Sequence, residues 1–123
     1  MKSATLRAAG TLLALCLLVA CAGPQIFHGQ LSSLDKGLSM FEVESRLTQA
    51  PLARHTVATG GRVFDIHAYR LNNGMQTDPY YLAYERQRLV YWGYLNEFRR
   101  QQDDDLGVAV GQAQAPLLAA MRK

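Results

Sequence analysis

The apolar positions of the chain change period along its length. Residues 8–20 (AAGTLLALCLLVA) form one weakly polar run, whereas beyond residue 37 apolar residues return at intervals. Met40, Val43 and Leu47 fall at i, i+3 and i+7, the single stripe of a half-buried helix. Ser39 followed three residues later by Glu42 is a capping box, and Leu38 with Val43 fits the hydrophobic staple around it, so a helix starts at Ser39. Pro51 closes it by biasing Ala50 away from helical backbone. A shorter helical turn is expected around Gln30 to Leu34.

From Arg54 the period drops to two. Gly60-Gly61 between β-rich runs reads as a two-residue hairpin turn, which sets Thr59 opposite Arg62, Val57 opposite Phe64 and His55 opposite Ile66. One face then carries Val57, Phe64, Ile66 and Ala68, and the other Arg54, Thr56, Asp65, His67 and Tyr69. Asn72-Asn73-Gly74 and Asp78-Pro79 bound a loop. The strands YYLAYE and LVYWGYL follow, joined at Arg86-Gln87, with Glu85 against Arg88, Tyr84 against Leu89, Leu82 against Tyr91 and Tyr81 against Trp92. Helix before strands predicts an α+β domain: one or two N-terminal helices packed on a single antiparallel sheet of about three to four strands. Helices on one side would leave aromatic surface of the second hairpin uncovered.

The ends differ from this middle. Lys2 and Arg7 precede the apolar run of 13 residues, which is too short to span a bilayer and has the build of a secretory leader. It stops at Leu18-Val19-Ala20-Cys21, which resembles the lipobox of bacterial lipoproteins, whose cysteine is acylated and becomes the first mature residue. The alternative is a plain signal peptide that happens to contain cysteines. The expected organisation is a signal peptide over 1–20, a lipidated tether over 21–30, a folded domain over 31–100 and a disordered tail over 101–123. That tail is rich in Ala, Gly and Gln; a short helix from Pro116, carrying Leu117, Leu118 and Met121, is its alternative. With Cys16 removed and Cys21 acylated, no thiol remains for a disulfide, a metal or a nucleophile. Ala22 stands where an acid would favour inner-membrane retention in such lipoproteins, pointing to the outer membrane.

In order along the chain, the lipobox, Leu34-Asp35-Lys36-Gly37-Leu38-Ser39 with Glu42-Val43, Leu47 to Pro51, and YYLAYERQRLVYWG resemble the SmpA/OmlA (BamE-type) small outer-membrane lipoproteins. Leu38 stands where that family has Met, and LTQAP is one residue longer than its Leu-Gly-x-Pro. The resemblance implies a BamE-like (β-lactamase-inhibitor-like) fold, a lipid anchor at Cys21 and a role beside the barrel-assembly machinery.

Charge and candidate chemistry narrow the functions further. The leader holds two of the 13 cations, leaving a mature chain close to neutral and no argument for a nucleic-acid partner. Asp65 and His67, with Arg54 across the hairpin, are an imaginable acid–base pair, but their plainer reading is a solvated sheet face. His28 and His55 lack companions at metal-ligand spacing. The crowding of Tyr80, Tyr81, Tyr84, Tyr91, Trp92 and Tyr94 is the stronger functional signal, since Tyr and Trp bury area while keeping a polar tip. Ordinary sheet packing explains part of it. The expected partner surface is Tyr81, Trp92 and Tyr94. The expectation is therefore an outer-membrane lipoprotein without enzymatic activity, metal or cofactor, acting as an adaptor for another envelope protein. Its alternative is a periplasm-facing module for a soluble ligand or an envelope enzyme.

Overall fold

A computed structural model describes residues 23–123. The expected signal peptide and the lipidation site Cys21 lie outside the described residues.

The helix begins where the capping box places it. Helix α1 spans Met40–Leu47, with the Ser39 Oγ accepting from the Glu42 N–H at 3.1 Å and the Ser39 N–H donating to Glu42 Oε1 at 3.3 Å. Thr48 ends it in the left-handed region (φ 52°), before Pro51 is reached. Ahead of it, His28–Ser33 form one short 3-10 helix.

The long strand β3 (Arg62–Asn72) organises the sheet. β2 (Ala53–Thr59) pairs antiparallel with its first part in the register that the Gly60-Gly61 turn predicts, from Thr59↔Arg62 to Ala53↔Ala68. That leaves the same edge of β3 open beyond Ala68. The gap is filled by β1 (Ile26–Phe27), which runs parallel and pairs Ile26 with Leu71. On the other edge follow β4 (Thr77–Glu85) and β5 (Arg88–Gly93), both antiparallel. The domain is α+β with a five-stranded mixed sheet, where a smaller and wholly antiparallel one was expected. The expectation of a tether over 21–30 is corrected with it, because Ile26 is an apolar residue locked into the core.

The second hairpin corrects a register. Glu85↔Arg88 and Tyr84↔Leu89 pair as expected, but a bulge then shifts the ladder by one residue, giving Ala83↔Tyr91, Leu82↔Trp92 and Tyr81↔Gly93. The extra residue, Val90, keeps Trp92 with Leu82 on the α1 side and sends Tyr91 to the other face.

The largest correction concerns residues 101–123. Asp104–Met121 form an 18-residue helix, α3, preceded by a short helix, α2 (Leu95–Arg100). Asp103 caps α3 by accepting from the Leu106 N–H, and Asp104 and Asp105 place negative charge in its first turn. Leu106, Ala109, Val110, Ala113, Leu117 and Met121 make a buried stripe at spacings of three and four, so tertiary packing supplies what an isolated helix lacks. Pro116 and Gln112, one turn before it, are exposed, so the missing proline N–H falls on the solvent side of the helix. Gly107 permits close contact with α2: a Cβ there would lie 3.3 Å from the Phe98 carbonyl oxygen.

The sheet is consequently covered on both faces. Val57, Phe64, Ile66, Ala68, Tyr81 and Ala83 pack under α2 and α3. Tyr69, Leu71, Tyr80, Leu82, Tyr84 and Leu89 pack under the 3-10 helix, Leu34, Leu38 and α1. The two layers account for apolar residues on both faces of the β4–β5 hairpin.

One ion cluster joins the helical layer to the sheet. The Arg62 guanidinium meets both carboxylate oxygens of Glu85 (2.9 and 2.7 Å) and Asp103 Oδ1 at 2.8 Å. The hydrogen bonds from Arg62 hold the Glu85 and Asp103 carboxyls below the usual carboxylate range. Gly60, at φ 61°, lies against the same helix end; a Cβ there would collide with the Asp105 carboxylate.

Candidate functional site

The alternation along β2 and β3 places Arg54, Thr56, Asp65 and His67 on the α1 side, with Arg54 directly across from His67 and Thr56 across from Asp65. α1 covers the apolar end of this face and stops short of its polar end, leaving a groove of about 470 Å³ between them. Met40 and Glu44 of α1 form one wall, and Arg54, Thr56, Asp65 and His67 the opposite wall and floor.

The charged groups of the groove are largely satisfied. Glu44 accepts from Arg54 Nη2 at 3.1 Å, and Asp65 accepts from the Thr56 hydroxyl at 2.6 Å. The acid–base pair imagined between Asp65 and His67 is not formed by these contacts. His67 is only 3% exposed, and its Nδ1 has no hydrogen-bond partner among the described residues. The same holds for the buried Tyr84 hydroxyl, whose ring lies 4.7 Å from the imidazole. Burial first, and the Arg54 charge second, push the His67 pKa down to about 4, so the ring is neutral at pH 7. Burial raises the Tyr84 phenol well above its ordinary range. The neutral imidazole borders the groove, while its unpartnered Nδ1 is closed off from solvent. Among the described residues no three His, Cys, Asp or Glu side chains are grouped to hold a metal.

The aromatic residues divide. Tyr81 is a core residue facing α3, which corrects its assignment to the partner surface; the helical layer that buries it is the one expected to be disordered. Trp92 and Tyr94 are half-buried beside the opposite core, and Tyr94 meets Tyr80 edge-on at 5.0 Å. Tyr91 packs edge-on against Phe98 at 4.8 Å. All three stand at or just after β5, which is the outer strand of the sheet. Its beginning is covered: Leu89 donates to the Leu38 carbonyl and accepts from the Gly37 N–H, each at 2.8 Å. Beyond Leu89 no strand pairs with the outer side of β5 among the described residues. This open edge follows from strand order, which the sequence pattern alone does not supply.

Set against protein-family models, curated proteins and solved structures, the chain matches none of them. Among the described residues no helix is long and apolar enough to cross a membrane.

Proposed function

We propose that this protein is an outer-membrane lipoprotein, anchored through Cys21, whose periplasm-facing domain acts without catalysis as an adaptor for another envelope protein. The observation that carries this reading is the open outer edge of β5, flanked by half-buried Tyr91, Trp92 and Tyr94. An edge strand offers unpaired backbone groups to an added strand, and aromatic neighbours give that strand apolar area to bury. The lipobox and the order of capped helix, hairpins and terminal Trp-Gly support the likeness to the SmpA/OmlA (BamE-type) lipoproteins. On that likeness the partner is a component of the barrel-assembly machinery. The parallel β1 and the α2–α3 layer depart from that family's pattern of two helices on an antiparallel sheet.

The test is affinity purification of the lipidated protein from membranes, comparing the native chain with Trp92→Ala and Tyr94→Ala variants of unchanged circular dichroism. An envelope protein recovered with the native chain and reduced with both variants supports the adaptor. Equal recovery from all three refutes it.

A second reading has its own observation, the polar groove lined by Glu44, Arg54, Thr56, Asp65 and His67. It favours capture of a small soluble ligand, and predicts saturable shifts of the His67 ring resonances on titration with periplasmic extract in the Trp92→Ala variant.

A further inference from the structure

We infer that the domain stands on the membrane with one defined end down, the end where the chain enters the fold, and that Arg70, Met75, Arg122 and Lys123 there meet the bilayer surface. This inference rests on the reading of Cys21 as the lipidated residue.

The geometry starts from Arg70. Its Nη1 lies beside Gly23, where a Cβ would be 3.8 Å away, and its Nη2 donates to the Met121 carbonyl at 2.8 Å. One guanidinium thus ties the start of the described chain to the last turn of α3. Only Ala22 separates Gly23 from Cys21, so the anchor lies within about 7 Å of chain from that junction. A long linker would let the domain tumble; here four residues, Ala22 to Gln25, separate Cys21 from Ile26, which is paired with Leu71 in the sheet.

What surrounds the junction fits a lipid surface. Arg122 and Lys123 are exposed beside it. Phe27, at the tip of β1, is 56% exposed, and the β3–β4 loop that starts just past its partner Asn72 projects Met75 at 96% exposure. The loop is held in shape by the Asn73 side chain, whose Oδ1 accepts from the N–H groups of Met75 and Gln76 at 3.0 and 2.9 Å. Two exposed apolar side chains and three cations at this end of the fold are a combination that would strengthen an attachment through Cys21. Asp78 is the acid of this end, and the Gln76 amide donates to it at 2.7 Å.

The opposite end carries both signs of charge. There the two hairpin turns gather with Glu85, Asp103, Asp104 and Asp105 among the cations Arg62, Arg86, Arg88, Arg99 and Arg100. α3 runs from that end, at Gly60, to the anchored end, at Arg70, about 27 Å at 1.5 Å per residue.

The test uses the full lipidated protein in phosphatidylethanolamine–phosphatidylglycerol vesicles containing a lipid brominated near its headgroup. An environment-sensitive fluorophore is attached at Met75→Cys or at Arg86→Cys; acylation of Cys21 leaves the introduced thiol as the reactive one. Fatty-acid incorporation is measured on the same samples. Quenching several-fold stronger at position 75 than at 86, reduced by Arg122→Glu/Lys123→Glu, is the expected result. Acylated protein with equal quenching at both positions, or stronger quenching at 86, overturns the orientation and leaves the lipoprotein reading intact. Absence of fatty acid on the native chain, or labelling unaffected by Cys21→Ala, overturns the lipoprotein reading and the orientation with it.

Discussion

Val108 and Val110 sit two residues apart on α3 and differ in what they touch: Val108 is 48% exposed and Val110 is fully buried against the sheet. Replacing each by Ala makes the same chemical change on two faces of one helix. At Val110 the change removes two buried methyl groups, about 1.6 kcal/mol at 0.8 kcal/mol each, and leaves a cavity that adds a further ~1 kcal/mol. The better helix propensity of Ala returns roughly 0.5 kcal/mol, so the net loss is about 2 kcal/mol. At Val108 only the propensity gain remains. For a domain of this size a loss of 1 kcal/mol lowers Tm by about 4–8 °C, so Val110→Ala should lower it by roughly 8–16 °C while Val108→Ala leaves it level or slightly raised. Thermal and urea unfolding followed by far-UV circular dichroism read both. Equal, small effects of the two substitutions would refute the packing of α3 and return residues 101–123 to a disordered tail.

The His67 pKa lies near 4 in the folded chain and near 6.5 when unfolded, so stability is complete above pH 6.5 and falls as the pH drops toward 4. The loss is on the order of 3 kcal/mol by pH 4, and His67→Leu should flatten the urea midpoint across that range. Arg62→Ala should lower Tm at pH 7, with the effect shrinking as Glu85 and Asp103 become protonated in acid, because their lowered pKa values record stabilisation present above the carboxylate range and lost below it. Arg86 and Gln87 both hold positive φ, 53° and 65°, in the β4–β5 turn; Gln87→Gly should raise stability by about 0.5 kcal/mol, measured by urea midpoint.

The parts of the fold legible in the sequence are those set by local chemistry. The Ser39–Glu42 box fixes the start of α1, and Gly60-Gly61 fixes the β2–β3 register with its two faces. What escaped is set by contacts distant in sequence. β1 is too short to show a period, and it exists because β2 ends early along β3. The stripe of α3 is masked by Ala and Gly; its small residues read as low complexity until a sheet face is placed beneath them. The bulge at Val90 leaves no mark in a pattern that is apolar on both faces, and the open β5 edge depends on strand order. Of the expected partner surface, Trp92 and Tyr94 remain half-exposed, while Tyr81 belongs to the core that the unforeseen helix completes.

The adaptor reading is tested most directly by photo-crosslinking in intact cells, with a benzophenone amino acid replacing Tyr91 on β5 or, as a control, exposed Lys36 in the turn before α1. The account predicts a discrete adduct with an envelope protein from position 91, absent from position 36 and lost when Trp92 is also changed to Ala. No adduct from position 91, or the same adducts from both positions, would contradict it.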